Sequence, residues 1–551
     1  MPQTSDEITQ NLAERLCWEV ARRDDSRVAR RLYRKPLVDG VYRLDVGALL
    51  EDFVHFLQAI GVMALLEEVH GAAIPREMLP FVHYVLLYGV KTLFGIKSIN
   101  ALPSLLFSDE ALMQLVGFNA QQVRQGICQR GATTRQGARL PGPLCPDTLA
   151  KNIVNWNLQE LERVFHGAIR ALAKAGVFEA KVTGIADGTD LETTKHYTGC
   201  GQVTRKRRIE DKQGRVHEIE ITVYGWKVLL LIDAATKMPL AVKVGQIQEH
   251  EALWTRALVT QARLNLQGYA RLHQVVFDTG LLDGTTLWWL DHQGITFVVP
   301  AKTDMAVTAD ARAQAAAGEE LTVGRRVHTV RHGQGRAART ERLETEVVGL
   351  TGLTTDDQYG TPEHGRQHNR RDFQANPINA VVVRQWNGRD YGPGGNTVFL
   401  TNALVEQPLQ AFDDDDDRSL IENCCIKEAK QQWDLGHPPQ KTERAVRVHV
   451  LFTLLLVALA TAYRLQCERE ATGGEPVGWQ RWRRQLLEQT RDHVIVFAQG
   501  YDGIFHLAEY SLLVGVKLKD LPPGIGTRRE VLAKYRLTKH GYPLCWNLRN
   551  S

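Results

Sequence analysis

Three acidic positions stand out by their surroundings. Asp187 closes the β-branched stretch "AKVTGIAD", Asp278 closes "LHQVVFD", and Glu422 lies in "RSLIENCCIKEAK", an apolar run of helical character. In α/β folds, strand ends bring side chains to the carboxyl edge of the sheet, where such folds place their sites. A third carboxylate from a helix against that sheet would complete an all-oxygen donor set of the kind Mg²⁺ or Mn²⁺ prefers. Arg418 stands four residues before Glu422, on one helical face with it, so its guanidinium can orient the carboxylate or contact a phosphate. The aspartate run from Asp413 to Asp417 is denser but less organised, because adjacent carboxylates repel one another and alternate in direction. It is expected to be a solvated lead-in to a helix, its last members favoured by the N-terminal dipole. Asp190, Glu192 and Asp283 are expected in loop or capping roles.

Elements able to position such acids follow from the apolar periodicity. Residues 1–178 read as mostly helical, with segments such as "VGALLEDFVHFLQAIGVMALLEEVHG" repeating apolar residues every three to four positions. From 179 to 302, β-branched runs alternate with helical ones in the order β-β-β-α-β-α-β, with a strand expected to end near Asp187 and a turn at Asp233 to Lys237. That order predicts an α/β fold: an RNase H-like mixed sheet flanked by helices, with the first and fourth strands as neighbours. Residues 303–403 read as a β-rich insertion, 404–465 as the helix bearing Glu422 followed by an apolar helix, and 466–551 as a mixed C-terminal region.

The chain has 551 residues, 44% of them apolar and 24% charged, which suits a globular protein. A net charge of +4 does not by itself demand a polyanionic partner, but the basic residues cluster: at 22–35, at Arg205, Lys206, Arg207 and Arg208, across 325–342, and at Arg481, Arg483 and Arg484 with Trp479 and Trp482 interleaved. Such clusters suit nucleic acid. The eight cysteines form no C-x-x-C pair and no zinc-ligand spacing, so neither a disulfide scaffold nor a zinc finger is expected, and a reducing cytoplasm fits. The first residues are polar and acidic, unlike a signal peptide, and the apolar run "VLFTLLLVALATAY" is shorter than a bilayer needs, so a buried helix is expected rather than a membrane span. No phosphate-binding P-loop motif occurs.

Taken together, "IADGTDLETT", "VVFDTGLLDG", "FVVPAK", "VFLTN" and "RSLIENCCIKEAK" resemble a bacterial insertion-sequence transposase of the DDE class, similar to the insertion-sequence-four type with a β-insertion before the third acid. The resemblance implies two Mg²⁺ or Mn²⁺ ions bridged by Asp187 and held by Asp278 and Glu422. It implies cleavage at the element ends, then joining of the freed 3′-hydroxyl to target DNA. DNA partners would be the terminal inverted repeats and the target, engaged by a homodimer in the bacterial cytoplasm on the nucleoid. Arg418, Lys430, Lys302 and Arg205 to Arg208 are the expected DNA contacts. The family's helix signature places a tyrosine where this chain has Asp415, and a lysine seven residues after the glutamate, where it has Ala429; Lys430 follows one position later, turned about 100° on an ideal helix. Those departures keep two other readings open: a catalytically impaired DNA-binding derivative, and a nuclease without strand transfer.

Overall fold

The computed structural model describes residues 21–43, 48–71, 79–107, 109–118, 144–210, 216–318, 322–332, 339–367, 370, 373–386, 396–416, 425–470, 493–517 and 527–535. They fall into two compact units, one of residues 172–431 and one combining 1–171 with 432–551. In chain order the strands are Arg22–Arg23 (β1) and Gly40–Arg43 (β2); then Lys181–Thr193 (β3), Gly201–Glu210 (β4), Val216–Asp233 (β5), Pro239–Gln246 (β6), Arg271–Phe277 (β7), Thr296–Pro300 (β8), Thr322–His332 (β9), Arg339–Leu353 (β10), Ile378–Trp386 (β11) and Thr397–Thr401 (β12); and finally His493–Ala498 (β13) and Tyr501–His506 (β14).

In the 172–431 unit, β3 to β12 form one ten-stranded mixed sheet in the order β4-β5-β3-β7-β8-β12-β11-β10-β9, with β6 paired to β5. This is the α/β, RNase H-like arrangement that the element order predicts. The first and fourth of the predicted strands, β3 and β7, are indeed parallel neighbours. Val228 to Ile232 in β5 are wholly buried, as a central strand covered on both faces requires. The turn after it is closed by Asp233, whose Oδ2 accepts from Thr236 N at 2.9 Å and Thr236 Oγ1 at 2.6 Å. The helix Thr255–Leu266 packs on β5, β6 and β7, and the helix Gly284–His292 on β8. The strands of the expected insertion extend the core sheet, because β12 pairs antiparallel with β8 through Phe399↔Pro300, Leu400↔Val299 and Thr401↔Val298. Asn402, the last residue of "VFLTN", fastens that junction: its Oδ1 accepts from Phe297 N at 2.9 Å, and its Nδ2 donates to Asp291 at 2.7 Å and to the Ile295 carbonyl at 3.1 Å.

Two local expectations are corrected. β3 does not end near Asp187: β5 stays paired with it from Gly184 to Thr193, so the strand continues after β7 has left its other side. The aspartate run is not a solvated lead-in, and the helix expected after it lies outside the described residues. Asp413 to Asp416 are themselves helical, forming the C-terminal part of the helix Pro408–Asp416, where the dipole disfavours them. Specific partners offset this. Asp413 pairs with Arg326 at 2.5 Å, and Asp414 accepts from Gln274 of β7 at 2.6 Å and from Gln410 at 2.9 Å.

The other unit contains a four-stranded sheet, β1-β14-β13-β2, drawn from both ends of the chain. The helix Asp25–Arg34, capped by Asp24 through Arg27 N at 2.9 Å, buries Val28, Ala29 and Leu32 in one core with Val496, Phe505 and Leu512. This pairing joins segments that the sequence reading treated as separate N-terminal and C-terminal regions. Part of the basic stretch is used internally: the Arg27 guanidinium lies 3.8 Å from the centre of the Tyr501 ring, and Arg31 donates to Gln499 at 2.7 Å. The apolar run belongs to a 28-residue helix, Glu443–Glu470. By length and composition it passes for a membrane span, yet 94% of its apolar window is buried inside the protein, so it is a core helix.

His449 of that helix is fully buried and bonded at both ring nitrogens, to Asp434 O at 3.0 Å and to the Tyr88 hydroxyl at 2.7 Å. A carbonyl can only accept, so Nε2 carries the proton and Nδ1 accepts from Tyr88, which defines a neutral imidazole. Burial lowers its pKa from 6.5 to about 4. Protonation between those values therefore favours the unfolded chain: the stability is complete above pH 6.5 and is lost as pH falls toward 4, by up to about 3 kcal/mol. The melting temperature should fall across this window, and the fall should be shallower in His449→Gln; parallel pH curves for the two proteins would contradict the assignment.

Candidate active site

Parallel pairing sets Ala186 of β3 beside Phe277 of β7, so the next residues along the two chains are Asp187 and Asp278. Asp187 is 6% exposed, and its Oδ1 accepts from Gly188 N at 2.7 Å. Asp278 follows the last residue of β7 and caps a short 3₁₀ turn, its Oδ2 accepting from Gly280 N at 3.2 Å. The structure thus brings two of the three expected acids to one edge of the sheet. Glu422 and Arg418 lie outside the described residues.

Just beyond them, Cys425 and Ile426 form a π-helical turn that runs into the helix Lys427–Gln432. A π turn accommodates one extra residue, matching the one-residue excess between Glu422 and Lys430. Ala429, at the family's lysine position, is fully buried, while Lys430 Nζ donates to Thr189 Oγ1 at 2.6 Å and to Asp190 O at 2.9 Å. Thr189 lies two residues beyond Asp187 and so on the same face of β3. Lys430 therefore ties the helix that follows Glu422 to the strand face bearing the first acid. Burial pushes its pKa below the usual lysine value, against the opposing pull of the Asp190 and Glu192 carboxylates.

The basic group on β4 is less free than the sequence implies. Arg205 pairs with Asp190, Arg207 with Glu192 at 2.8 Å and Lys206 with Glu218 at 3.8 Å, while Arg208 is exposed. Asp190 and Glu192 accordingly belong to β3 as ion-pair partners, not to a loop or a cap, because β3 outruns the predicted strand end. Asp283 does cap, accepting from Thr286 N at 3.0 Å ahead of the helix Gly284–His292. Lys302 is exposed in the turn after β8, with no described contact to the acids.

One neighbour was missed by sequence reasoning. Glu251 reaches the acid edge through space left by a glycine: a Cβ on Gly188 would lie 2.0 Å from Glu251 Oε2. A Cβ on Gly280 would lie 3.4 Å from Asp278 Oδ2 and 3.5 Å from Glu251 Oε1, so these two oxygens face the same point. Lys227 of β5 accompanies Glu251, with Nζ 3.6 Å from its Oε1. The available signal was the glycine directly after Asp187, which admits a side chain from a distant segment.

The transposase DDE domain family model matches residues 179–459, just over half of the chain. The chain belongs to the DDE transposase family. Its partner class is DNA, and the family's chemistry generally employs divalent metals. Comparison with curated proteins finds no match. Among the described residues, no group of three or more histidine, cysteine, aspartate or glutamate side chains could hold a metal ion. The transposase nevertheless places Asp187 and Asp278 at corresponding positions of neighbouring parallel strands, two hard oxygen donors of the kind a divalent-cation site uses.

The Lys430 contact is testable without activity. Lys430→Met and Thr189→Val should each destabilise, and a double-mutant cycle in urea should return a coupling of about 1 kcal/mol. Strict additivity would remove the contact.

Proposed function

We propose that this transposase cuts DNA at the ends of its element and joins the freed 3′-hydroxyl to target DNA, using Asp187, Asp278 and Glu422. The carrying observation is the adjacency of Asp187 and Asp278 at the carboxyl edge of paired parallel strands. Mg²⁺ or Mn²⁺, two ions by family resemblance, would be held by the three carboxylates and would activate the attacking group while neutralising phosphoryl charge. The protein's own part is positioning, which dominates phosphoryl transfer. Asp187 is held by its buried strand and Asp278 by its turn. Lys430 secures the helix Lys427–Gln432 that follows Glu422, and Arg418, four residues before that glutamate in the sequence, is assigned to orient it. Arg208 and Lys302, exposed and without a described ion pair, are the readier phosphate contacts of the basic set, whereas Arg205, Lys206 and Arg207 would have to exchange carboxylate partners for phosphate.

The same reading makes the chain an insertion-sequence-four type element protein of bacteria, acting in the cytoplasm on the nucleoid, with a homodimer holding two terminal inverted repeats.

Asp187→Asn, Asp278→Asn and Glu422→Gln should each reduce metal-dependent cleavage of linear terminal-repeat DNA to background while DNA binding persists. Cut ends with joined products support transposition; cut ends without joining favour a nuclease; binding without cleavage by the unaltered chain favours a catalytically impaired DNA-binding derivative.

A further inference from the structure

β3 carries the first acid on one face and Gly188, the next residue, on the other, because side chains alternate along a strand. The space that Gly188 leaves is occupied by Glu251, since a Cβ there would lie 2.0 Å from Glu251 Oε2. Glu251 opens the short turn Glu251–Trp254, which packs against the turn Thr279–Leu281 capped by Asp278. Its other oxygen, Oε1, and Asp278 Oδ2 border one small space: a Cβ on Gly280 would lie 3.5 and 3.4 Å from them. Glu251 therefore approaches Asp278 from the face of β3 opposite to Asp187. Among the described residues it completes no three-ligand metal group with those two acids.

What Glu251 contributes there is charge. Two carboxylates bordering one space repel each other, and each adds to the attraction that a divalent cation feels. Lys227 of β5 opposes that attraction. Its Nζ stands 3.6 Å from Glu251 Oε1, and the two side chains are only 17% and 21% exposed, so solvent screens them less than a surface pair. Asp190, opposite Lys227 in the register of β3 against β5, is itself paired with Arg205. Glu251 and Lys227 are thus opposite charges fixed beside Asp278 by tertiary contacts.

We propose that Glu251 and Lys227 are positioning residues for the metal-dependent reaction, a charge pair that sets how tightly the edge bearing Asp187 and Asp278 draws a divalent cation. Glu251 strengthens the draw and Lys227 moderates it, and neither becomes a ligand. Groups around a metal site commonly tune its affinity in this way. The proposal rests on the reading of that edge as the cation site, and adds to it the residues that adjust its strength.

The test titrates Mn²⁺ into the full chain and reads bound ion by electron paramagnetic resonance and by the rise in melting temperature, so cleavage is not needed. Glu251→Gln keeps the shape and removes the charge, and should raise the Mn²⁺ concentration at half-saturation by roughly tenfold. Lys227→Met should lower it. Gly188→Ala leaves both charges in the chain but forces the Glu251 carboxylate away, and should shift binding in the same direction as Glu251→Gln. A merely structural role would weaken binding in every variant. Should Lys227→Met fail to fold, Glu251→Asp decides: keeping the charge should retain most of the affinity that Glu251→Gln loses, and equal losses overturn the proposal. Asp278→Asn separates the proposal from the reading beneath it, because a cation site at that edge should lose its saturable Mn²⁺ binding in this variant. If Asp278→Asn binds Mn²⁺ as the unaltered protein does, the reading falls and the proposal with it. If Asp278→Asn loses the site while Glu251→Gln and Lys227→Met bind unchanged, or shift in the same direction, the proposal alone is overturned.

Discussion

The register of β3 against β7, with Ala186 opposite Phe277, is the constraint from which the acid edge follows. Slipping a strand by one residue would turn every side chain to the opposite face, separating Asp187 from Asp278. The register is secured on both sides: β5 holds β3 from Gly184 to Thr193, and β8 pairs with β7 from Gln274 to Val276. Val275, Val276 and Ile185 are fully buried, so a slip would also expose apolar surface. The acids thus inherit their placement from apolar residues that take no part in chemistry.

Much of this was legible in the chain because it is local. β-branched runs ending at Asp187 and Asp278, the turn at Asp233 and the cap at Asp283 each carry their signal within a few residues. What escaped depends on partners distant in sequence. The extent of β3 is decided by β5, the aspartate run is held by Arg326 and Gln274, and Glu251 arrives at Gly188 from a separate segment. The joining of the two chain ends in one sheet is likewise non-local, resting on β1 beside β14 and β2 beside β13. Asp414 illustrates the difference: a helix dipole predicts one end of the helix for it, and a glutamine on a central strand holds it at the other.

Among the described residues, several members of the basic clusters are paired internally. Arg205 and Arg207 face Asp190 and Glu192, Arg325 faces Glu346 at 2.8 Å, and Arg326 faces Asp413. Exposed pairs of this kind contribute little to stability, yet they set which cations can turn to a polyanion without first leaving a carboxylate. A basic cluster in a sequence is therefore a count of charges, while the number free to bind is smaller and depends on the sheet.

The joining of β12 to β8 makes the segment between them something other than a removable appendage. β8 is covered on one side by β7 and on the other only by β12, and Asn402 draws that second side closed. Excising residues 303–403 would uncover the main-chain donors and acceptors of β8 along a buried apolar strand, an edge that recruits other chains. A relative lacking this segment would have to shield the same strand by other means, so length variation here is limited less by the chemistry of the acids than by solubility of the sheet that carries them.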